Sequence, residues 1–145
     1  MRIYLDNCCY NRPYDDQTHI RIHLETQAKL YIQESIKNRE LELVTSYVLE
    51  FENSRNRLQK KKETILKFME DNESFYVGVE HVDEINAMAE NIKKTGIKEK
   101  DACHIACAIL AGCDYFISTD DRLLKYQTNE IKLVTPVEFI TRTEG

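Results

Sequence analysis

The chain is poor in the features that mark whole classes of protein. It has no tryptophan, and only four glycines and two prolines in 145 residues. That excludes collagen-like, low-complexity and strongly disordered chains. No apolar run approaches the roughly 18 residues that span a bilayer, and the first residues show no basic segment leading into an apolar core. Basic excess is missing too: Lys and Arg total 20 against 25 Asp and Glu, a formal charge of −5. Bulk attraction to a polyanion is therefore excluded as a source of binding. The five cysteines, Cys8, Cys9, Cys103, Cys107 and Cys113, are odd in number and lack the framework spacing of small secreted domains. Cys103 and Cys107 flank His104 one helical turn apart, but no second pair has zinc-like spacing. Small buried hydrophobes in a reducing compartment suit them better. The expectation is a cytoplasmic globular protein with no membrane association, residues 1–145 forming a single domain.

What is present is an alternation of short apolar runs with amphipathic stretches. Arg2 to Leu5 reads as a strand stopped by Asp6. The polar stretch from Asn7 to Gln17 reads as a turn region, with Pro13 and Asp15-Asp16. Thr18 is placed to cap a helix whose apolar face uses Leu24, Ala28, Tyr31, Ile32 and Ile36. Leu41 to Val44 is a second strand, and Thr45-Ser46 opens a helix with a Val48 and Phe51 stripe. Lys60 to Asp71 predicts a helix with Ile65, Leu66, Phe68 and Met69 inward, and Phe75 to Val79 a third strand. Val82, Ile85, Met88, Ala89 and Ile92 mark a helical face ending at Thr95-Gly96. Asp101 opens the most apolar helix, which ends at Gly112. Tyr115 to Ser118 and Ile131 to Val134 complete the strands.

Strands alternating with helices, without hairpin turns, predict an α/β protein: a three-layer α/β/α sandwich around a mostly parallel sheet. In such folds ligands bind beyond the carboxyl ends of the strands, where strand order reverses. Asp6 and Asp120-Asp121 each follow a strand, Asp101 sits at a helix start, and Glu50 or Glu52 lies on the helix after the second strand. Crowded carboxylates repel and raise one another's pKa, so such a cluster calls for a hard divalent cation. Taken singly, each acid would more simply be a cap or turn residue.

The same blocks resemble the PIN-domain ribonucleases. Ile3-Tyr-Leu-Asp6 is similar to that family's first strand and first acid. Leu43 to Glu52 resembles its second block, a Ser followed six residues later by an acid. Asp101 to Ala108 is similar to its third block, an Asp opening an alanine-rich helix. Tyr115 to Asp121 resembles the strand and Thr-x-Asp motif of the fourth, and Val134 to Phe139 its last strand and Pro turn.

The resemblance implies a metal-dependent ribonuclease that hydrolyses RNA phosphodiester bonds. Asp6, Glu52, Asp101 and Asp121 would be catalytic acids holding Mg²⁺ or Mn²⁺, with Asp120 coordinating from the side or capping the next helix. Glu50 is the alternative acid: it lies two residues from Glu52 and so points nearly the opposite way. Asn7, Ser46, Thr119 and His104 are expected around the acids, with His104 otherwise a packed helix histidine. The densest basic patch, Arg55, Arg57 and Lys60 to Lys62, is either a solvated face or a track for single-stranded or structured RNA. Many members are toxins held by a small antitoxin and often dimeric, which implies such a partner and a homodimer here.

Two other readings compete. The acids could persist in a non-catalytic RNA- or protein-binding module. An acid-dependent phosphatase would need a second Asp two residues after Asp6, where Cys8 stands, and a phospho-receiver lacks a convincing Asp and Lys pair.

Overall fold

The computed structural model describes residues 1–144, so the last residue of the expected 1–145 unit lies outside it. Five strands, β1 (Arg2–Leu5), β2 (Glu42–Ser46), β3 (Glu73–Val77), β4 (Tyr115–Ile117) and β5 (Lys132–Val134), form one sheet in the order β3-β2-β1-β4-β5. Every pairing is parallel. Eight helices accompany them among the described residues: α1 (Asn7–Asn11), α2 (Ile20–Lys37), α3 (Tyr47–Ser54), α4 (Gln59–Asn72), α5 (Val82–Lys93), α6 (Glu99–Leu110), α7 (Asp121–Leu124) and α8 (Pro136–Glu144). The result is the expected three-layer α/β/α arrangement, with α2 against α8 and α6 against α5 and α3.

The burial of each strand explains its place. In β1, Ile3, Tyr4 and Leu5 are wholly buried, and in β4 Phe116 and Ile117 are too. Strands covered on both faces read as continuous apolar runs, which is why the two occupy the centre. At the β3 edge Phe75 and Tyr76 stay partly exposed. That strand also starts and stops two residues before its expected span, because Glu73 pairs beside Leu43 across a bulge.

Local chemistry sets the helix starts, with three departures from expectation. The polar stretch after Asp6 is helical, because the Asp6 carboxylate accepts from the Asn7 N–H and caps α1. Thr18 does not cap α2. Its N–H and hydroxyl both donate to Asp16 at 3.0 and 2.7 Å, and the helix begins two residues later, after His19. After Val134 the chain forms α8, closed by a reciprocal box in which Glu138 N–H donates to Thr135 Oγ1 and Thr135 N–H to Glu138 Oε1. Ser46 caps α3 as expected, accepting from Leu49 N–H. Gly112 follows α6 at φ +71°, the left-handed conformation that glycine adopts at least cost.

The periodic faces are narrower than the sequence pattern implies. Ala28, Ile32 and Ile36 of α2 are buried, whereas Leu24, Tyr31 and Phe51 are half or more exposed. The cysteines are all free, with Cys9, Cys107 and Cys113 buried. Among the described residues no helix is long and apolar enough to cross a membrane.

These burial differences have a measurable consequence. Leu43→Ala, which empties a fully buried position on β2, is expected to cost about 2–5 kcal/mol. Leu24→Ala on the exposed side of α2 should stay within about 0.5 kcal/mol. Urea unfolding at unchanged m-value checks both, and equal losses would contradict this placement of the core.

Candidate active site

Strand order reverses between β1 and β4, since β2 and β3 lie to one side of β1 and β4 and β5 to the other. Loops leaving such neighbours diverge and open a crevice. Because Leu5 pairs with Ile117, the next residues, Asp6 and Ser118, meet there. Ser118 Oγ donates to Asp6 Oδ2 at 2.8 Å, and Asn7 N–H donates to Oδ1 at 2.8 Å. The cleft has a volume of about 290 Å³ and is lined by Asp6, Asn7, Cys8, Glu52, Lys98, Lys100, Asp101 and Asp120. Asn7 Oδ1 is buried there without a hydrogen-bond partner.

Glu52 arrives from the last turn of α3 and is held from behind. Its Oε1 lies 2.7 Å from His104 Nε2, and His104 Nδ1 lies 2.7 Å from the Tyr4 hydroxyl. Tyr4 in turn lies 2.7 Å from Ser46 Oγ. An ionised carboxylate only accepts, so Nε2–H donates to Glu52. With a neutral ring, Tyr4 O–H donates to Nδ1 and Ser46 O–H to Tyr4, while Leu49 N–H donates to Ser46. Tyr4, Ser46 and His104 are wholly buried, so every member of this chain must be satisfied within it. Lys100 Nζ reaches Glu52 Oε2 at 3.0 Å from the cleft side. Burial alone would raise the Glu52 carboxyl; the bonds from His104 and Lys100 outweigh it and hold the group below its ordinary value.

Asp101, in the first turn of α6, lacks such support. Burial, then the charges of Asp6 and Asp120, push its carboxyl above the ordinary value. The donor atoms of Asp6, Glu52 and His104 come within 4.8 Å of one another. Oxygen-rich donors, an orphaned buried acceptor on Asn7 and a carboxyl raised by its neighbours suit a hard divalent cation.

Other expected residues fall elsewhere. Asp121, chosen by the Thr-x-Asp spacing, does not reach the cleft. Both its oxygens lie on Arg21, at 2.7 and 2.9 Å, and its side chain is 65% exposed. Asp120, the extended residue before α7, lines the cleft instead and caps that helix through Arg122 N–H at 2.9 Å. Glu50 lies on another side of α3, lining a separate hollow with Tyr76 and Glu73. Thr119 bonds through its backbone to Cys8 Sγ and Arg21, leaving Ser118 to orient Asp6. Ser46 supports His104 through Tyr4 and touches no acid. Arg55, Arg57, Lys60 and Lys61 line no part of the cleft; Arg55 covers Phe51 at 5.6 Å and Lys61 covers Tyr14 at 5.1 Å.

Lys98, Lys100, Ser118, Cys8 and Tyr4 escaped the sequence reading. The run Lys98-Glu-Lys-Asp101 carried a signal for the first two. The others follow only once β1 and β4 are known to be neighbours.

The repulsion on Asp101 can be weighed directly. Without divalent cation at pH 7 and low salt, Asp101→Asn is expected to raise the melting temperature by about 2 °C. A raised folded-state pKa means the charged form opposes folding, so the gain should vanish as the pH falls below about 4. Saturating Mg²⁺ should stabilise the original protein more than the variant. A variant less stable than its parent at pH 7 would remove the repulsion argument.

The family description PIN domain matches residues 3–129. No curated protein matches the chain. Among solved structures the fold is similar to VapBC2 from Rickettsia felis bound to a DNA fragment from their promoter, with TM-score 0.55 and 11% identity, covering 92% of this chain and 97% of that one. It is also similar to FitAcB from Neisseria gonorrhoeae, with TM-score 0.58, 16% identity and coverage of 93% and 98%. FitAB bound to an IR36 DNA fragment gives TM-score 0.59, 18% identity and coverage of 92% and 94%. At such identities the likeness is one of fold. The family match covers most of the chain, from the first strand to beyond the carboxylates that line the cleft: the protein belongs to the PIN-domain family.

Proposed function

We propose that the chain is a Mg²⁺- or Mn²⁺-dependent ribonuclease whose acids are Asp6, Glu52, Asp101 and Asp120. The observation that carries this reading is the meeting of these four side chains, far apart in sequence, in one cleft at the strand-order reversal. When bound there, the cation supplies an activated water and neutralises charge on the scissile phosphate. The protein's own groups prepare the site. Ser118 and Asn7 fix the orientation of the Asp6 carboxylate at the cleft. His104, backed by Tyr4 and Ser46, sets the rotamer of Glu52. Lys98 and Lys100 place positive charge at the mouth, so an anionic phosphodiester approaches a chain of net negative charge without meeting bare acids. Hydrolysis of this kind uses water and not the ribose 2′-hydroxyl, so the product carries a 5′-phosphate.

Family membership supports the nuclease class, and RNA as substrate rests on the resemblance of the sequence blocks. The same resemblance supports a small antitoxin partner, and a homodimer, for a toxin of this type. Growth arrest on expression of this chain alone, relieved by co-expression of a small antitoxin encoded in a reading frame beside its gene, is the outcome expected of such a toxin. Normal growth beside intact metal-dependent cleavage would exclude a toxin while sparing the nuclease.

Cleavage of an end-labelled single-stranded RNA tests the chemistry. Activity should require Mg²⁺ or Mn²⁺, stop with chelator, and fall about 100-fold or more in Asp6→Asn, Asp101→Asn and Asp120→Asn. Asp121→Asn and Glu50→Gln should stay within about twofold. His104→Leu should lose roughly 10–100-fold and weaken Mn²⁺ binding by calorimetry, while His104→Gln, which can still donate to Glu52, recovers part of both. Chelator-resistant cleavage, or full activity in the Asp6 and Asp101 variants, would overturn the assignment. Bound RNA with neither metal binding nor cleavage would favour a docking module.

A further inference from the structure

Beside the acidic cleft lies a second hollow of about 260 Å³. One wall is the turn after α5, Thr95 to Ile97, and the other is formed by Arg122, Lys125 and Tyr126 around α7. The two hollows have no lining residue in common, but their walls adjoin. Ile97 leads directly into Lys98, which lines the cleft, and Arg122 donates its N–H to Asp120, which also lines it. Gly96 turns the chain at φ +101°, with no atom within 4 Å of where a side chain would begin, so that wall stays low and the hollow open.

The chemistry of this hollow differs from that of the cleft. Arg122, Lys125 and the adjoining Lys98 are exposed, and among the described residues none of them makes an ion pair within 4 Å, although Lys125 lies near enough to Asp121 to help lower its carboxyl. In a chain with more acids than bases, unpaired cations gathered next to a cluster of acids are a local reversal of sign. Tyr126 is half-buried against the core and adds an aromatic surface to the same wall. At about 260 Å³ the hollow is smaller than the roughly 300–1,000 Å³ of pockets for drug-sized ligands, and suits one flat ring system with an attached anion. Positive side chains that track a backbone, interleaved with an aromatic platform, are the recurrent means of holding single-stranded nucleic acid.

We infer that this hollow is a nucleotide subsite: Arg122 and Lys125 take the phosphate next to the scissile one, and Tyr126 stacks on its base. The inference rests on the nuclease reading above and extends it, giving the strand a path from the acidic cleft over α7. That path lies away from Arg55, Arg57, Lys60 and Lys61, which line neither hollow.

The test uses fluorescence anisotropy of labelled single-stranded RNA, and of DNA with the same sequence, on the full chain carrying Asp101→Asn to prevent turnover. Adding Arg122→Ala with Lys125→Ala is expected to weaken binding about tenfold at low salt. It should also flatten the slope of log affinity against log salt by about 0.7, as for one lost phosphate contact on a single strand. Tyr126→Leu should cost about tenfold and Tyr126→Phe less than twofold, and the Leu penalty should disappear on an oligonucleotide made abasic at the position next to the cleavage site. Circular dichroism confirms that each variant is folded. A loss on either strand type supports the subsite and names its ligand. No loss on either, or a loss no greater than that of Arg55→Ala with Arg57→Ala, overturns it; if the unaltered chain still cleaves the RNA, the nuclease reading survives. An unaltered chain that neither binds nor cleaves either strand removes both.

Discussion

Carboxylates held together at the end of a parallel sheet are the constraint around which this molecule is organised. Parallel strands all finish on one edge, and the reversal of strand order between β1 and β4 opens a crevice at that edge. Two like charges about 4 Å apart repel by roughly 4 kcal/mol at an effective dielectric constant of 20. The fold must therefore compensate the acids it gathers there, and it does so unequally. Asp6 receives a hydroxyl and a backbone N–H, and Glu52 receives an imidazole and an ammonium group. Asp101 receives neither, and its carboxyl is raised as a result. An incompletely compensated acid among well-supported ones is where a cation has most to contribute.

The support of Glu52 reaches deep into the core. Tyr4 lies in the middle of the central strand, its ring stacked on Phe116 of β4 at 5.3 Å and edge-on to His104 at 5.8 Å. The hydroxyl that would be costly at such depth is used twice, toward Ser46 and toward His104. Ser46 also caps α3, the helix that carries Glu52. The rotamer of the acid, the start of its helix and the packing of the sheet thus depend on one buried polar chain. That is a form of preorganisation that a surface carboxylate cannot have.

Where local reasoning failed, the reasons are specific. The stretch after Asp6 is largely polar, yet a cap at Asp6 and the burial of Cys9 and Tyr10 in the core suffice for a short helix. Leu24 and Phe51 fit helical periodicity but lie beyond the edges of the buried faces of α2 and α3. Helical geometry says that Glu50 and Glu52 cannot both face one site, and the spacing from Ser46 favours Glu52 without excluding Glu50. Asp120 and Asp121 were not separable by that argument, since either could face a cleft whose position was unknown. Arg21, one hundred residues away in sequence, takes Asp121 out of the cleft, and no local pattern announces that contact.

The order of the strands and of the longer helices between them, the parallel sheet, and the reach of Asp6, Glu52 and Asp101 toward one edge were written in the sequence. These depend on periodicity, on abrupt ends to apolar runs and on residue chemistry, all short-range properties. Tertiary structure alone decided that Ser118 orients Asp6, that Tyr4 and His104 stand behind Glu52, that Asp120 lines the cleft, and that a cationic hollow adjoins it. Each of these is set by which strands become neighbours and how two helices cross. Such contacts arise between residues about a hundred positions apart, whose meeting is fixed by the packing of the whole core and not by any segment's own preference.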